Sequence, residues 1–549
     1  MLEKFCVGLV RILLGGILFF LTLLSAVVTC RVYGGSEIVQ YGRDSLFLHL
    51  FFGAGVIGLT VFYRRRKERK CRKNQWLLLA AAAYLFWILL VPSWGGSDSH
   101  QCMASAQGLL QGDFSAWEPV AYSYGTAEGP LGYAYTYPSQ NGLILYMAVL
   151  AFFFGDAAYV VFQILNIGFF ILGIVSLQRM MVWGNERCSL LLWMACCLPF
   201  SFYILFVYGT MPGFGLSCLA MERLVRYVEE GRGRDFWIGA AAVAAAVILK
   251  SNYEIVLVAL FLYLASSGVF RRKARLLVAA VLLITVYVIG NRGIQTGISS
   301  VTGRTVSDGA PMIAWVQMGL EESKRGPGWY NGYQVKLFQK ADGDADLAAA
   351  WAQADLRKTI SDMAEEPAKA ADFFVRKIES IWAEPTFQSL WIQEVGNPSW
   401  AEESPPWELF KEEGGLNRLY VFAANLLQTF VYAMACVWVI AGMSAKGSRS
   451  KHVLMKRTWE KRIEAEKTVK AVKKQGMETV WERQERGETD RWGMLLPGIV
   501  FIGGFLFHLV WEAKGQYSVV YFMLLLPYAY LGMERVADVF LDVTGAGKE

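Results

Sequence analysis

The sequence predicts an all-α polytopic membrane protein with about twelve transmembrane helices, and three observations support this fold class. Of the 549 residues, 55% are hydrophobic and only 18% are charged. Apolar runs of about 18 or more residues, long enough to cross a bilayer, recur along the chain. The basic residues behind the net charge of +6 gather in short clusters between these runs. This pattern indicates a membrane topology signal rather than a nucleic-acid-binding surface.

The first three predicted spans, at residues 5–29, 46–63 and 76–91, set the orientation of the chain. The first is too long for a signal peptide and lacks a clear cleavage site, so we predict an uncleaved anchor. The basic block at residues 64–73 follows the second span, and the positive-inside rule places it in the cytoplasm. The glycine-rich and aromatic loop at residues 94–142 therefore lies outside, where loops on a rigid scaffold often carry function.

The apolar run at residues 143–155 decides the orientation of the rest of the chain. If residues 143–154 crossed the membrane, the later basic clusters would all lie outside, against the positive-inside rule. The run is also short for a span. We therefore predict an interfacial helix on the outer side of the membrane.

Nine further spans are predicted at residues 159–177, 190–207, 213–228, 237–249, 255–267, 276–290, 420–442, 494–511 and 518–533. Both termini are then cytoplasmic. The predicted units are an N-terminal membrane module (1–294), a mostly helical extracytoplasmic insert (295–417), one span (418–444), a basic cytoplasmic loop (445–492), a C-terminal pair of spans (493–534) and a cytoplasmic tail (535–549). Within the insert we predict helices over 346–365 and 367–383, the second lying on the outer membrane surface with Lys377 away from its apolar face.

Asp98 and His100 follow the third span, behind a pair of glycines. A carboxylate in this place can act as a general base, so we predict that Asp98 is catalytic and that His100 contacts the substrate. The alternative is a solvated acid that caps a helix predicted over residues 101–110. Two such side chains make a poor cation site, so the metal ligands are unknown and the need for a divalent cation stays open.

Tyr137, Gln140 and Asn141 close the outer loop. Sugars stack on aromatic rings and offer hydroxyls to amides, so we predict that these three residues bind substrate. The alternative is an interfacial aromatic belt, which bilayers favour in many membrane proteins.

Two short turns between spans carry charge on the same predicted face of the membrane. Lys250 and Asn252 lie in the first turn, where a buried lysine needs a counter-ion such as a lipid phosphate; a snorkelling lysine is the alternative. Glu512, Lys514 and Tyr517 lie in the second turn, where Lys514 would bind phosphate and Glu512 would orient the lysine. A salt-bridged turn of little energetic value is the alternative there.

The nine cysteines lie mostly in apolar runs and form neither a disulfide framework nor a zinc-binding pattern. Cys30 and Cys102 both fall on the predicted outer side, so a bridge between them stays open.

With these residues in place, the chain resembles the GT-C superfamily of polytopic glycosyltransferases, which includes protein O-mannosyltransferases and aminoarabinose transferases. The likeness rests on Asp98 after an early span, Gly112-Asp113-Phe114, Tyr137-Pro138, residues 143–155, residues 248–254, and the Glu-x-Lys-x-x-Tyr motif of Glu512, Lys514 and Tyr517. One departure is the turn at residues 208–212, which lacks the second acid that many relatives carry there.

The resemblance implies an inverting transferase that takes a sugar from a polyprenyl-phosphate carrier and passes it to a glycan, lipid or protein acceptor on the outer face of the cell membrane. It implies that Asp98 is the base and that Lys250 and Lys514 hold the carrier phosphate. A transporter or flippase of lipid-linked sugars is the alternative function. A third is a non-catalytic assembly protein that docks its partners on the insert.

Overall fold

The computed structural model describes residues 2–33, 37–65, 73–91, 93, 96–123, 129–181, 193–194, 197, 199–395, 414–443 and 492–543. Most of the predicted basic loop at 445–492 and the last residues of the predicted tail, 544–549, lie outside the described residues.

From the N-terminus the chain forms α1 (Leu2–Val27), β1 (Val28–Tyr33), β2 (Ile38–Arg43), α2 (Leu46–Arg65), α3 (Lys73–Leu90), α4 (Asp98–Gln111), α5 (Tyr133–Thr136), α6 (Asn141–Phe154), α7 (Ala158–Met181), α8 (Pro199–Leu205), α9 (Thr210–Glu230) and α10 (Gly233–Leu249). It continues with α11 (Glu254–Arg271), α12 (Ala274–Thr302), α13 (Met312–Gly319), α14 (Tyr333–Lys340), α15 (Ala345–Glu365), α16 (Pro367–Trp382), α17 (Ser389–Val395), α18 (Gly415–Ala441), α19 (Leu496–Val510) and α20 (Gly515–Val543). Short 3₁₀ turns lie at Ser115–Trp117, Pro138–Gln140, Gly155–Ala157, Ser251–Tyr253 and Gly493–Leu495.

Among the described residues, eight helices are long and apolar enough to cross a membrane, or nine if the bent pair α8 and α9 is one span. These helices indicate a multi-pass membrane protein. The predicted number of about twelve also counted shorter elements. The predicted span at 237–249 corresponds to the 17 residues of α10. Part of the predicted span at 190–207 lies outside the described residues; the described part contains the 7 residues of α8, which meets α9 at a bend of 111°.

Helices α9 and α10 define two ends of the bundle. They pack side by side, and α10 returns along α9 after the turn at residues 231–232. Lys250 follows α10 and donates from Nζ to Oγ1 of Thr210, the first residue of α9, at 2.9 Å. We call this the Thr210 end, and the end at the α9–α10 turn the Glu230 end.

Helix α6, the predicted interfacial segment, does not carry the chain between these two ends. Just before it, Gln140 donates to the hydroxyl of Tyr208, which lies at the Thr210 end. Just after it, Gln163 of α7 donates to the carbonyl of Leu205 at 3.0 Å, on the same side. Its 14 residues would extend only about 21 Å, short of a hydrocarbon core of about 30 Å.

A β-hairpin between α1 and α2 departs from the all-α prediction. Strands β1 and β2 pair antiparallel, with Val28 opposite Arg43 and Tyr33 opposite Ile38. The predicted first span ran to residue 29, but α1 ends at Val27, because the β-branched and aromatic residues that follow favour a strand. The hairpin docks on the insert, since Val39 donates its backbone N–H to the carbonyl of Arg325 at 2.8 Å.

Helix α12 continues 12 residues beyond the predicted span end at residue 290, so it contains the first residues of the predicted insert, 295–302. The two predicted helices are confirmed as α15 and α16. The predicted placement of Lys377 is wrong: this lysine of α16 is fully buried. Its Nζ donates to the carbonyls of Leu509 at 3.1 Å and Trp511 at 2.7 Å, and to that of Gly319. Lys377 therefore satisfies carbonyls that the C-terminus of α19 leaves without helical partners.

Candidate functional site

Asp98 is the first residue of α4, so it lies at the positive end of that helix dipole. The helix begins three residues earlier than the sequence predicted. Ser97, at its N-cap, has a φ of 51°. The hydroxyl of Tyr133 donates to Asp98 Oδ1 at 3.3 Å. Because Tyr133 is fully buried, this hydrogen bond attaches the acid to the protein interior.

An aromatic cluster surrounds that tyrosine. The ring of Tyr137 lies 5.3 Å from that of Tyr133, 6.5 Å from that of Tyr122 and 6.2 Å from that of Trp315. Trp315 in turn stacks on Trp511 at 6.1 Å. The predicted sugar-binding residue Tyr137 is therefore next to the hydrogen-bond partner of Asp98, and it keeps part of its surface open.

Two of the predicted substrate contacts have other neighbours. Asn141 is fully buried; its amide donates to Gln295 at 2.7 Å and accepts from the indole of Trp117 at 3.0 Å, so it holds the loop together and is not open to a substrate. His100 is exposed and lies two residues after Asp98 in α4, which places the two side chains on different faces of the helix. Gln140 contacts the site indirectly, through the hydroxyl of Tyr208.

Lys250 lies beneath the open surface, with only 7% of it exposed. Besides Thr210, its Nζ lies 4.8 Å from the ring centre of Tyr208 and 5.7 Å from that of Tyr517. Burial lowers the pKa of Lys250 to about 7, although the charge of Asp98 acts in the opposite direction. Lys250 also lines a small crevice with Asn252, Gln516 and Tyr517, so the two predicted charged turns meet.

Glu512 and Lys514 lie between α19 and α20. Glu512 is 4% exposed and accepts a hydrogen bond from the hydroxyl of Tyr517 at 3.3 Å. Burial raises the pKa of Glu512 to about 7, against the lowering effect of Lys514. The pKa of Lys514 is raised: burial lowers it, but the carboxylates of Glu37, Glu512 and Asp98 outweigh that effect. The turn is held to the insert by the carbonyl of Gly328, which accepts from the N–H of Ala513 at 2.8 Å.

Sequence reasoning missed Glu37, an acid on the β1–β2 hairpin. It is 2% exposed, and its Oε1 lies 3.5 Å from Lys514 Nζ. Its other partners are Arg325 and Gln388, both from the insert. The signal in the sequence was an acid after a Gly-Gly-Ser stretch between the first two predicted spans, but only strand pairing and docking bring that acid to the Thr210 end.

The described residues contain no group of three or more His, Cys, Asp and Glu that could hold a metal ion. Cys30 and Cys102, between which the sequence left a bridge open, are both free cysteines. They lie in separate hydrophobic clusters, and the thiol of Cys102 is 3.7 Å from the Tyr133 hydroxyl.

A cleft of about 510 Å³ opens on another side of the outer loop. It is lined by Trp117, Pro119, Tyr135, Arg304, Thr305, Val306, Ser307, Asp308, Gly343 and Ala345. The predicted site residues are not among its lining, and we place the candidate site at the charged cluster instead, because buried charges of both signs meet there.

The site thus combines three acids, two lysines and several tyrosines from distant parts of the chain. The charge of Asp98 acts on Lys250, Lys514 and Glu512, so the acid lies within electrostatic range of all three groups. Such a site can bind an anion through its lysines and accept a proton at a carboxylate.

Compared with known proteins, the chain matches no family model, no curated protein and no solved structure. The function of this chain is therefore inferred from its fold and from the geometry of the site.

Proposed function

We propose that this protein is a membrane glycosyltransferase that moves a sugar from a polyprenyl-phosphate carrier to an acceptor at the extracytoplasmic face. In this proposal the Thr210 end faces outward, the membrane is the cell membrane, and both termini are cytoplasmic. The observation that supports it is the meeting of Asp98, Lys250 and Lys514, which are far apart in sequence, in one polar site among apolar helices. Charged groups at this depth are costly and are usually functional.

Asp98 is the general base of the proposed reaction. It takes the proton of an acceptor hydroxyl, whose oxygen attacks the anomeric carbon of the sugar. The bond from that carbon to the carrier phosphate breaks, the phosphate leaves with the electron pair, and the configuration inverts. Tyr133, by donating to Oδ1, fixes the direction of the carboxylate during this step.

Lys250 and Lys514 are the phosphate contacts. Negative charge grows on the leaving phosphate, and ammonium groups fixed beforehand stabilise it in a site with little water. A phosphate beside Lys250 would also favour its charged form, which burial alone disfavours. The rings of Tyr208 and Tyr517 hold the ammonium of Lys250 without neutralising it.

The test is Asp98→Asn in purified protein reconstituted in nanodiscs. A panel of radiolabelled polyprenyl-monophosphate hexoses and pentoses is supplied with glycan, lipid and peptide acceptors, and sugar transfer is measured. We expect a loss of about 10²- to 10⁴-fold, the usual contribution of a general base. Asp156→Asn is the matched control, because Asp156 is an exposed acid in the first turn of a 3₁₀ helix.

Transfer at the wild-type rate by Asp98→Asn would show that Asp98 is not the general base. The transporter hypothesis is decided by the same preparation in sealed vesicles. Movement of the lipid-linked sugar across the bilayer, without transfer to any acceptor, would favour a flippase over the enzyme.

A further inference from the structure

We infer that Glu37 is a positioning residue that holds the ammonium of Lys514 where the donor phosphate binds. This inference rests on the proposed function, because it assigns a role to a third acid of the same site. Glu37 itself touches neither the sugar nor the phosphate; it acts through Lys514.

The first ground is the way the hairpin presents this acid. Glu37 directly precedes β2 and has a φ of 54°, in the left-handed region that residues other than glycine seldom adopt. Such a conformation persists when the surroundings fix it. Here the fixing contacts are made by the side chain, which is almost fully buried and is held by an arginine, a lysine and an amide.

The second ground is that the two carboxylate oxygens of Glu37 have different partners. Oε2 pairs with the guanidinium of Arg325, which also lies 5.3 Å from the ring centre of Tyr330. Oε1 accepts from the amide of Gln388 at 3.0 Å and faces Lys514 Nζ at 3.5 Å. One carboxylate therefore lies between two cations, so the three groups together keep a net positive charge for an anionic ligand.

The third ground is the position of Lys514 within the site. Its ammonium lies 5.3 Å from the ring centre of Trp391 and is 13% exposed as a side chain. The charges that act on it are those of Glu37, Glu512, Asp98 and Arg325, and Lys250 senses it in turn. Among these carboxylates Glu37 has the largest effect, and it keeps Lys514 charged although the lysine is buried.

Removing the charge of Glu37 should change the pKa of Lys514 in a definite direction. In Glu37→Gln, Arg325 and Lys514 would repel each other across a neutral amide, and the pKa of Lys514 would fall. The charged form of the lysine, which binds phosphate, would then be lost at a lower pH than in the wild type. The variant should therefore bind phosphate more weakly, and most clearly on the alkaline side.

The experiment measures binding of a polyprenyl monophosphate to the full-length protein in nanodiscs by isothermal titration calorimetry between pH 6 and 9. We expect Glu37→Gln to weaken binding about tenfold at the alkaline end and to move its alkaline decline by about one pH unit toward lower pH, a typical size for a pKa shift in a folded protein. Glu322→Gln is the matched control, because Glu322 also pairs with an arginine of the insert, Arg376, but is 54% exposed.

A double variant separates positioning from misfolding. If Glu37 acts through Lys514, then Glu37→Gln should add nothing to the loss already caused by Lys514→Met. Equal binding by wild type and Glu37→Gln at every pH, or full additivity of the two losses, would overturn the inference and leave the proposed function standing. A wild-type protein that fails to bind polyprenyl phosphate would overturn the proposed donor site, and this inference with it.

Discussion

Charges are held in different ways at the two ends of the bundle. At the Glu230 end, buried Glu222 of α9 lies 3.0 Å from Arg226, one helical turn later, and Asp235 of α10 lies 2.9 Å from Arg223. At the Thr210 end, the described contacts of the Lys250 ammonium are a hydroxyl and two aromatic rings. At the Glu230 end each of these acids is paired directly with an arginine, whereas the ammonium of Lys250 at the Thr210 end has neutral groups as its described contacts.

This difference explains why one end is a candidate site and the other is not. A buried ion pair with direct contact satisfies its own charges and has little left for a ligand. A buried lysine held by neutral groups has a lowered pKa as the cost of its burial, and an incoming anion would restore its charge. Four variants can break or sharpen this contrast between the two ends, and their expected effects decrease from the first to the last.

Lys250→Met should remove the ability to stabilise the leaving phosphate. We expect transfer from the polyprenyl-phosphate donor to fall about 10²- to 10³-fold, as when one fixed donor is removed from a transition-state site. Arg226→Met at the Glu230 end is the matched control and should retain transfer. The measurement is kcat/KM for donor in nanodiscs. A larger loss in Arg226→Met than in Lys250→Met would reverse the comparison.

Lys377→Met should affect stability rather than chemistry. Lys377 is buried at the Thr210 end like Lys250, and burial also lowers its pKa to about 7, but its ammonium is surrounded by three carbonyls. Methionine would leave these carbonyls without their donor, which costs about 1–3 kcal/mol for each buried unsatisfied group. Thermal unfolding in detergent should shift downward while the donor KM of the folded fraction stays unchanged. A changed KM with an unchanged unfolding temperature would instead place Lys377 in the site.

Lys250→Arg should change the pH dependence. The charged form of Lys250 exists below its pKa of about 7, so kcat/KM for the donor should fall as the pH rises through about 7. Arginine stays charged over the whole working range, so this variant should extend the plateau to alkaline pH. Rate measurements from pH 5.5 to 9 provide the check, and identical profiles for both proteins would show that the titration of Lys250 does not limit the reaction.

Glu222→Gln should have the smallest overall effect, because it should lower stability modestly and leave transfer unchanged. It removes the buried acid of the Glu230 end while Arg226 and Arg179 can turn to solvent, because their side chains are 37% and 45% exposed. We expect destabilisation of about 1–3 kcal/mol and wild-type kinetics. Thermal unfolding and kcat/KM measured on one preparation test the expected loss of stability and the expected wild-type kinetics. A tenfold loss of transfer with normal stability would show that the two ends are coupled.

Several residues of the site were open to prediction from the sequence. Four charged residues stand out because each lies at the border of a long apolar run: Asp98, Lys250, Glu512 and Lys514. Charged side chains are costly near the bilayer core, so those that occur there are usually functional. Their meeting at one end also follows from the number of spans between them, once residues 143–155 are taken not to cross the bundle.

Other assignments needed the direction of each side chain. Asn141 looked like a sugar ligand, but its amide points into the protein, to Gln295 and Trp117. His100 looked like a partner of Asp98 until the start of α4 at Asp98 fixed their different faces. Lys377 looked like a surface lysine of an amphipathic helix, but the end of α19 lies over it.

Hydrophobic runs and the charges between them determine, from the sequence alone, that this chain is a helical multi-pass membrane protein with a polar stretch after its third apolar run. These signals are local, so a short window contains them. Glu37, Arg325 and Gln388 meet only because the hairpin between α1 and α2 docks on the insert, almost 300 residues later in the chain. Contacts at that separation depend on packing among all the helices, and therefore only the tertiary structure decided which charges surround Lys514.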